Sequence, residues 1–325
     1  MNFNISSLVK QILSSYEEGF IPIIYGQTAT GKTRLSLELA KRLGKPVEII
    51  SADSRQVYRL MNIGTDKIDE SLRAKIPHHQ IDIIHPDEIY TAWQRQQDAY
   101  QIIEEILNRW HIPMIVGGTG LYIDTIVYNF SMSTCEPDQK YRDQLEELEA
   151  KQPGSVWNIL NEIDPVEAAK NHPKSIRFII RALEIYHVSG KTKTELMQKA
   201  PPRYPLLMIE LQQDVQLGNK LIDERIKLML KNWLVEEVRG LLDMGYEASL
   251  TSLKTIDYKQ TVEYIQGTLS LSEYIQSLQI ANHQLAKKQR TWFRRYTKDA
   301  EKLALHEQQY QNIKYLNFYL PDYFS

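Results

Sequence analysis

In the first half of the chain, short apolar runs alternate with longer stretches in which apolar residues recur every three or four positions. Short runs bounded by turn residues predict buried strands, and the 3.6-residue period predicts helices packed on them. Ile21 to Tyr25 reads as a strand, Lys32 to Leu43 as a helix stopped by Gly44, and Val47 to Ser51 as a second strand. Ile81 to Ile84 is expected as a short third strand ended by His85-Pro86, and Thr91 to Trp110 as a long helix. Ile112 to Val116 follows as a strand leading into the loop Gly117-Gly118-Thr119-Gly120. Such alternation predicts an α/β fold, a parallel sheet flanked by helices.

After about Phe130 the pattern changes. Charged helical segments such as QKYRDQLEELEA are joined by Pro153-Gly154 and Asp164-Pro165 without strong strands. This predicts a helical insertion domain over 131–185, within a core built from 1–130 and 186–325. A helix is expected from about Lys174 to Val188, Pro205 to Leu211 returns to the sheet, helices dominate Asn219 to Tyr296, and Ile313 to Phe318 is a terminal strand.

Composition narrows the class without naming a function. With 325 residues, 42% hydrophobic and 25% charged, the chain has ordinary globular values. The N-terminal stretch MNFNISSLVKQILSSYEEGF has no basic start and no long apolar core, and no run approaches the ~20 residues that span a bilayer. A cytoplasmic location and no membrane partner are expected. A single cysteine, Cys135, excludes intramolecular disulfides and a cysteine-rich zinc site. The net charge of -2 means that nucleic-acid binding would need a local basic surface.

Between the first strand and its helix lies GQTATGKT, residues 26–33, in which Gly26, Gly31, Lys32 and Thr33 fit G-x-x-x-x-G-K-[ST]. Backbone N–H groups of Gly26, Gln27, Thr28, Ala29, Thr30 and Gly31 can curl around anionic oxygens, and the helix N-terminus and Lys32 add positive charge. Thr33 is placed to ligate Mg²⁺. By itself the loop leaves kinase, NTPase and diphosphate-releasing transferase open. Asp53 falls just past the second strand, at the sheet edge where ligands bind in open α/β folds. There an aspartate can hold a metal through water, act as a general base, or cap a turn. Ser54, Arg55 and Gln56 add a hydroxyl, a cation and an amide that matches adenine, although a solvated loop contains such residues too.

Together these stretches resemble the bacterial tRNA dimethylallyltransferase (tRNA isopentenyltransferase) family. The matching segments, in the family's order, are GQTATGKT (26–33), ISADSRQVY (50–58), IGTDK (63–67), PHHQIDI (77–83), IPMIVGGTGLYI (112–123), IRALEIYHVSGKT (180–192) and AKKQRTWFRR (286–295). The resemblance implies a P-loop NTPase-like core that transfers a dimethylallyl group from dimethylallyl diphosphate to N6 of adenosine 37. The acceptors would be tRNAs reading codons that start with U, with Mg²⁺ as cofactor and a monomer expected. It assigns the base to Asp53, the diphosphate site to Thr28 and Lys32, and the metal to Thr33. An exocyclic adenine amine is a poor nucleophile that must lose a proton, and departing diphosphate needs cationic stabilisation. To reach the donor, the adenosine would be flipped out of its stack.

tRNA contact is implied for Asp53, Ser54, Arg55, Gln56, Thr119, Arg142, Arg177, Phe178, Ile179, Ile180 and Arg181, with the insertion taking part. Without the family, Thr119 reads equally as a helix cap. On a C-terminal helix Lys287, Arg290 and Arg294 share a face suited to phosphates, while Leu285, Trp292 and Tyr296 share one that can bury. His78 and His79 read as structural.

Several positions depart from the family. Val215 and Leu221 stand where it usually places arginines, leaving Arg225. Gly-Leu becomes Trp233-Leu234, Ile-Gly-Tyr becomes Ile256-Asp257-Tyr258, and Thr-Arg-Gln becomes Asn282-His283-Gln284. These changes leave room for an attenuated tRNA-binding paralogue, and the loop for a P-loop kinase or an adenine-nucleotide prenyltransferase.

Overall fold

The computed structural model describes residues 5–130, 138–306 and 312–319; Cys135 and the first seven positions expected for the insertion, 131–137, lie outside the described residues. Six parallel strands, β1 (Ile21–Tyr25), β2 (Val47–Ala52), β3 (His78–His79), β4 (Ile112–Gly117), β5 (Leu206–Gln212) and β6 (Ile313–Tyr319), pair in the order β3-β2-β4-β1-β5-β6. β1, β2 and β4 are buried at every position, which is why they read as mainly apolar runs, with Glu48 a buried exception in β2.

The strand expected over 81–84 is absent. β3 forms at His78–His79 instead, and Ile84 makes only an isolated bridge to Tyr58. Gln80 and Asp82 adopt positive φ values of 60° and 55°, which turns the chain out of extended geometry. Asp82 is held there by Lys67 and Arg73, each at 2.6 Å.

Around the strands, the early helices are α1 (Ile5–Glu17), α2 (Lys32–Arg42), α3 (Glu70–Arg73), α4 (Ala92–Asn108) and α5 (Gly120–Val127). A capping box starts α4: Thr91 Oγ1 accepts the Gln94 N–H at 3.2 Å while Gln94 Oε1 accepts the Thr91 N–H at 2.8 Å. Then come α6 (Gln139–Lys151), α7 (Ser155–Ile163), α8 (Pro165–Lys170), α9 (Ile176–Ser189) and α10 (Lys193–Leu196). The last group is α11 (Val215–Lys231), α12 (Leu234–Asp243), α13 (Tyr258–Ile265) and α14 (Leu271–His306). Ile5, Leu8 and Ile12 of α1 join Leu35, Leu39 and the strand residues Ile24, Val116 and Ile209 in the main core.

The chain forms two compact units, residues 1–127 with 202–325, and residues 128–201. The boundary expected at 185/186 falls inside α9. Ile179, Ile180 and Leu183 of that helix pack with Leu145, Val156 and Leu160 in the core of the second unit, so the unit runs on through α10 to Pro201. Among the described residues no helix is long and apolar enough to cross a membrane.

Candidate active site

The glycine loop sits between β1 and α2. Gly26 lies so close to β5 that a Cβ there would be 2.5 Å from the Leu211 carbonyl oxygen. Ala29 and Gly31 both take left-handed geometry, at φ 63° and 78°, which curls the loop. The Gln27 carbonyl accepts from Thr30 Oγ1 at 2.9 Å and from Lys32 Nζ at 2.6 Å, so the ammonium is tethered to the loop's own backbone. Burial brings the Lys32 pKa down to about 8, against the upward pull of Asp53 and Asp66, with Arg225 adding to the decrease.

A cavity of about 370 Å³ opens over this loop. That is at the small-ligand end of binding-site sizes. Its walls bring Lys32 and Thr33 together with Asp53, Arg55 and Gln56 from the β2 end, and with Gly118, Arg225 and Gln289. Asp53 Oδ1 accepts the Arg55 N–H at 2.8 Å, a local turn that leaves the side chain facing the cavity. The Ser54 N–H donates to Thr119 Oγ1 at 3.0 Å, which ties the loop after β2 to the loop after β4. Gln56 is committed to the protein: its Nε2 donates to the carbonyls of Thr65 and Asp66, both at 3.3 Å, and its Oε1 accepts from Ser51 Oγ at 3.1 Å. Its amide braces the site where base reading was expected.

Opposite Asp53, Arg225 Nη1 donates to Thr28 Oγ1 at 2.8 Å, so the retained arginine reaches the loop. Leu221 also lines the cavity, whereas Val215 at the start of α11 is 46% exposed and outside it. The oxygens of Thr33, Asp53 and Asp66 at one cavity are hard donors that suit Mg²⁺. Among the described residues no three His, Cys, Asp or Glu side chains gather into a metal cage. Mg²⁺ does not need one, because it binds through one or two side chains plus ligand phosphates.

α14 corrects two expectations. Arg290 does not lie on an outward phosphate-tracking face; it donates to Gln27 Oε1 of the glycine loop. Trp292 is 37% exposed rather than buried, and the face that buries carries Phe293 and Tyr296 at 1% and 0%. Trp292 stacks under the Arg295 guanidinium, 4.0 Å from its ring centre, and lies against Gly120, where any Cβ would strike the indole. Lys287 remains exposed. Motif reading missed Gln289, whose Oε1 accepts the Thr28 N–H at 2.7 Å and whose Nε2 donates to the Gly118 carbonyl at 2.9 Å. The signal was present: Leu278, Asn282, Ala286, Gln289, Phe293 and Tyr296 form one helical stripe, and two polar residues on an apolar stripe have to meet polar partners.

In the second unit, Arg142 forms a two-pronged pair with the buried Glu184, at 2.7 and 2.9 Å, and Arg181 pairs with the same carboxylate. Both guanidinia are therefore engaged in the unit's own framework. Ile179 and Ile180 are core residues and present no side chain to a partner. The exposed part of the RFIIR segment is Arg177 and Phe178.

A family model described as IPP transferase matches residues 56–296, and one described as isopentenyl transferase matches 20–74. The chain is 41% identical over 282 residues to the tRNA dimethylallyltransferase of Caldanaerobacter subterraneus subsp. tengcongensis, spanning 85% of this chain and 89% of that protein. It is 38% identical over 276 residues to the Thermotoga maritima protein of the same name, spanning 85% and 90%. Among solved structures, the tRNA isopentenylpyrophosphate transferase of Bacillus halodurans aligns with a TM-score of 0.63 at 34% identity over 93% of this chain and 90% of that one. A eukaryotic dimethylallyltransferase acting on tRNA aligns with a TM-score of 0.73 at 26% identity, over 92% and 74%.

Proposed function

The chain belongs to the IPP transferase family, and from that premise we propose that it transfers a dimethylallyl group from dimethylallyl diphosphate to N6 of adenosine 37 in tRNA, releasing diphosphate. The acceptors are tRNAs that read codons starting with U. The observation that carries this reading is Asp53 facing the same small cavity as Lys32 and the glycine loop.

The donor's diphosphate lies in the loop, held by its backbone N–H groups, Lys32 and Arg225. Asp53 takes the proton from the N6 amine as nitrogen bonds to the allylic carbon, and the electron pair of the breaking C–O bond leaves on diphosphate. The cations stabilise the charge that develops on the departing oxygens. Mg²⁺, with Thr33 as protein ligand, supplies further neutralisation of the diphosphate when bound. Arg177, Phe178 and Lys287 are the exposed residues we assign to the tRNA, with Thr119 and Ser54 shaping the entrance for the flipped base.

The test is incubation with dimethylallyl diphosphate, Mg²⁺ and an anticodon stem-loop RNA, followed by nucleoside mass spectrometry. N6-dimethylallyladenosine is expected. RNA that binds but stays unmodified would favour a tRNA-binding paralogue; phosphoryl transfer from ATP to a nucleotide would favour a kinase.

A further inference from the structure

We propose that Asp257 and Asn282 are positioning residues that fix Arg225 against the diphosphate site; the proposal rests on the functional reading above. The structure places the two side chains in contact. Asn282, fully buried on α14, donates through Nδ2 to Asp257 Oδ1 at 2.5 Å and to the Leu278 carbonyl at 3.0 Å. Its Oδ1 accepts from Arg225 Nη2 at 2.8 Å, and the other arm of that guanidinium donates to Thr28 Oγ1 at 2.8 Å. A continuous chain of bonds thus runs from Asp257 to the glycine loop.

The chemistry of the pair dictates the direction of the chain. A carboxylate only accepts, so Asp257 forces the NH₂ end of Asn282 toward itself. The amide oxygen then has to face Arg225, where it takes one of the five guanidinium N–H groups. The Leu278 carbonyl takes the same NH₂ end, so Asp257 reinforces this orientation, and its removal leaves the amide held by one acceptor in place of two. The second oxygen of Asp257 lies 3.5 Å from Arg55 Nη1, which also donates to the Ile256 carbonyl at 3.2 Å. The carboxylate thus reaches Arg225 through Asn282 and lies within ion-pair distance of Arg55.

Asp257 occupies φ 75°, a left-handed conformation that is easy for glycine and strained for aspartate. In this strained, buried position the carboxylate makes the Asn282 bond that a glycine there could not make. Leu221 brings no charge to the cavity wall, where Arg225 and Lys32 are cations beside the loop, so the placement of Arg225 matters.

A double-mutant cycle on the full chain tests this, with binding of inorganic diphosphate in Mg²⁺ read by calorimetry and the KM for dimethylallyl diphosphate read in the transfer assay. Asn282→Ala is expected to weaken diphosphate binding and raise this KM by about tenfold, with kcat changed less. In an Arg225→Ala background the same substitution should have almost no further effect. An Asn282→Ala penalty that persists at full size without Arg225, or is absent with it, overturns the proposal. Should Asn282→Ala fail to fold, Asp257→Asn keeps the shape, and an effect of about threefold that vanishes without Arg225 is expected in the same cycle. Wild-type protein that binds diphosphate but prenylates no RNA would sink the functional reading and leave this inference standing; active protein with independent effects would do the reverse.

Discussion

Strand β2 carries a carboxylate near each end, and the two have opposite surroundings. Glu48, near the amino end, is 5% exposed and takes hydrogen bonds from His79 Nε2 and His111 Nδ1, both at 2.7 Å, and from Arg109 at 2.9 and 3.0 Å. Burial alone would raise its pKa, but the bonds from Arg109, His79 and His111 outweigh that and hold it at about 2. Asp53, one residue beyond the carboxyl end, is half-buried and faces a cavity with Lys32 across it. A carboxylate surrounded by cationic and neutral donors fastens β3 and the α4–β4 turn to β2. A carboxylate with one oxygen on a local turn and its side chain toward a cavity retains capacity for a substrate proton.

The largest expected effect comes from the open end. Asp53→Ala should lower kcat for prenyl transfer by about 10³-fold, the range of a lost general base, while tRNA affinity changes less than about threefold. Filter binding and single-turnover transfer separate the two. Equal loss of both would make Asp53 a folding residue like Glu48 and erase the contrast.

The saturated end should respond in stability instead. With a folded pKa of about 2 against 4.5 unfolded, Glu48 contributes stability that is complete above about pH 4.5 and lost as pH falls toward 2. Linkage puts this at no more than about 3 kcal/mol. Glu48→Gln is expected to lower unfolding free energy by about that amount at pH 7, because Arg109 loses its charged partner. The pH dependence of stability between 4.5 and 2 should flatten, which urea titrations would show, while transfer by the folded protein stays at the wild-type rate.

These two carboxylates also mark what could be read without coordinates. The glycine loop and Asp53 were legible because a strand, a turn and a helix impose local spacing; β1, β2, β4 and β5 were legible because largely buried strands are mainly apolar runs, and β6 as a short aromatic and apolar stretch. β3 was not, since two histidines set by a turn carry no apolar pattern. Glu48 gave no sign, because its partners come from 31 to 63 residues away. The pairing of Arg142 and Arg181 with Glu184 was hidden for a related reason: a charged helix face looks the same in sequence whether it meets a ligand or a buried carboxylate. Gln289 and Asn282 were available to a stricter reading of α14, as polar interruptions of an apolar stripe.

The smallest effect ties the comparison to a single titration. Lys32 keeps its charge below about pH 8 and loses it as pH rises through that value, because burial disfavours the ammonium and Arg225 adds repulsion that Asp53 and Asp66 only partly offset. Affinity for inorganic diphosphate, corrected for the ligand's own protonation over this range, should therefore be flat below pH 8 and fall by up to about tenfold per pH unit above it. Asp53→Asn removes an upward pull on Lys32, so its break should move to lower pH. Arg225→Ala removes a downward one, so its break should move higher. Glu48→Gln changes a carboxylate on the same strand that is absent from the groups acting on Lys32, and its break should stay where it is. Calorimetric diphosphate binding from pH 6 to about 10 in the four proteins reads all of this; a Glu48→Gln shift as large as that of Asp53→Asn would mean that the two ends of β2 are not electrostatically separate.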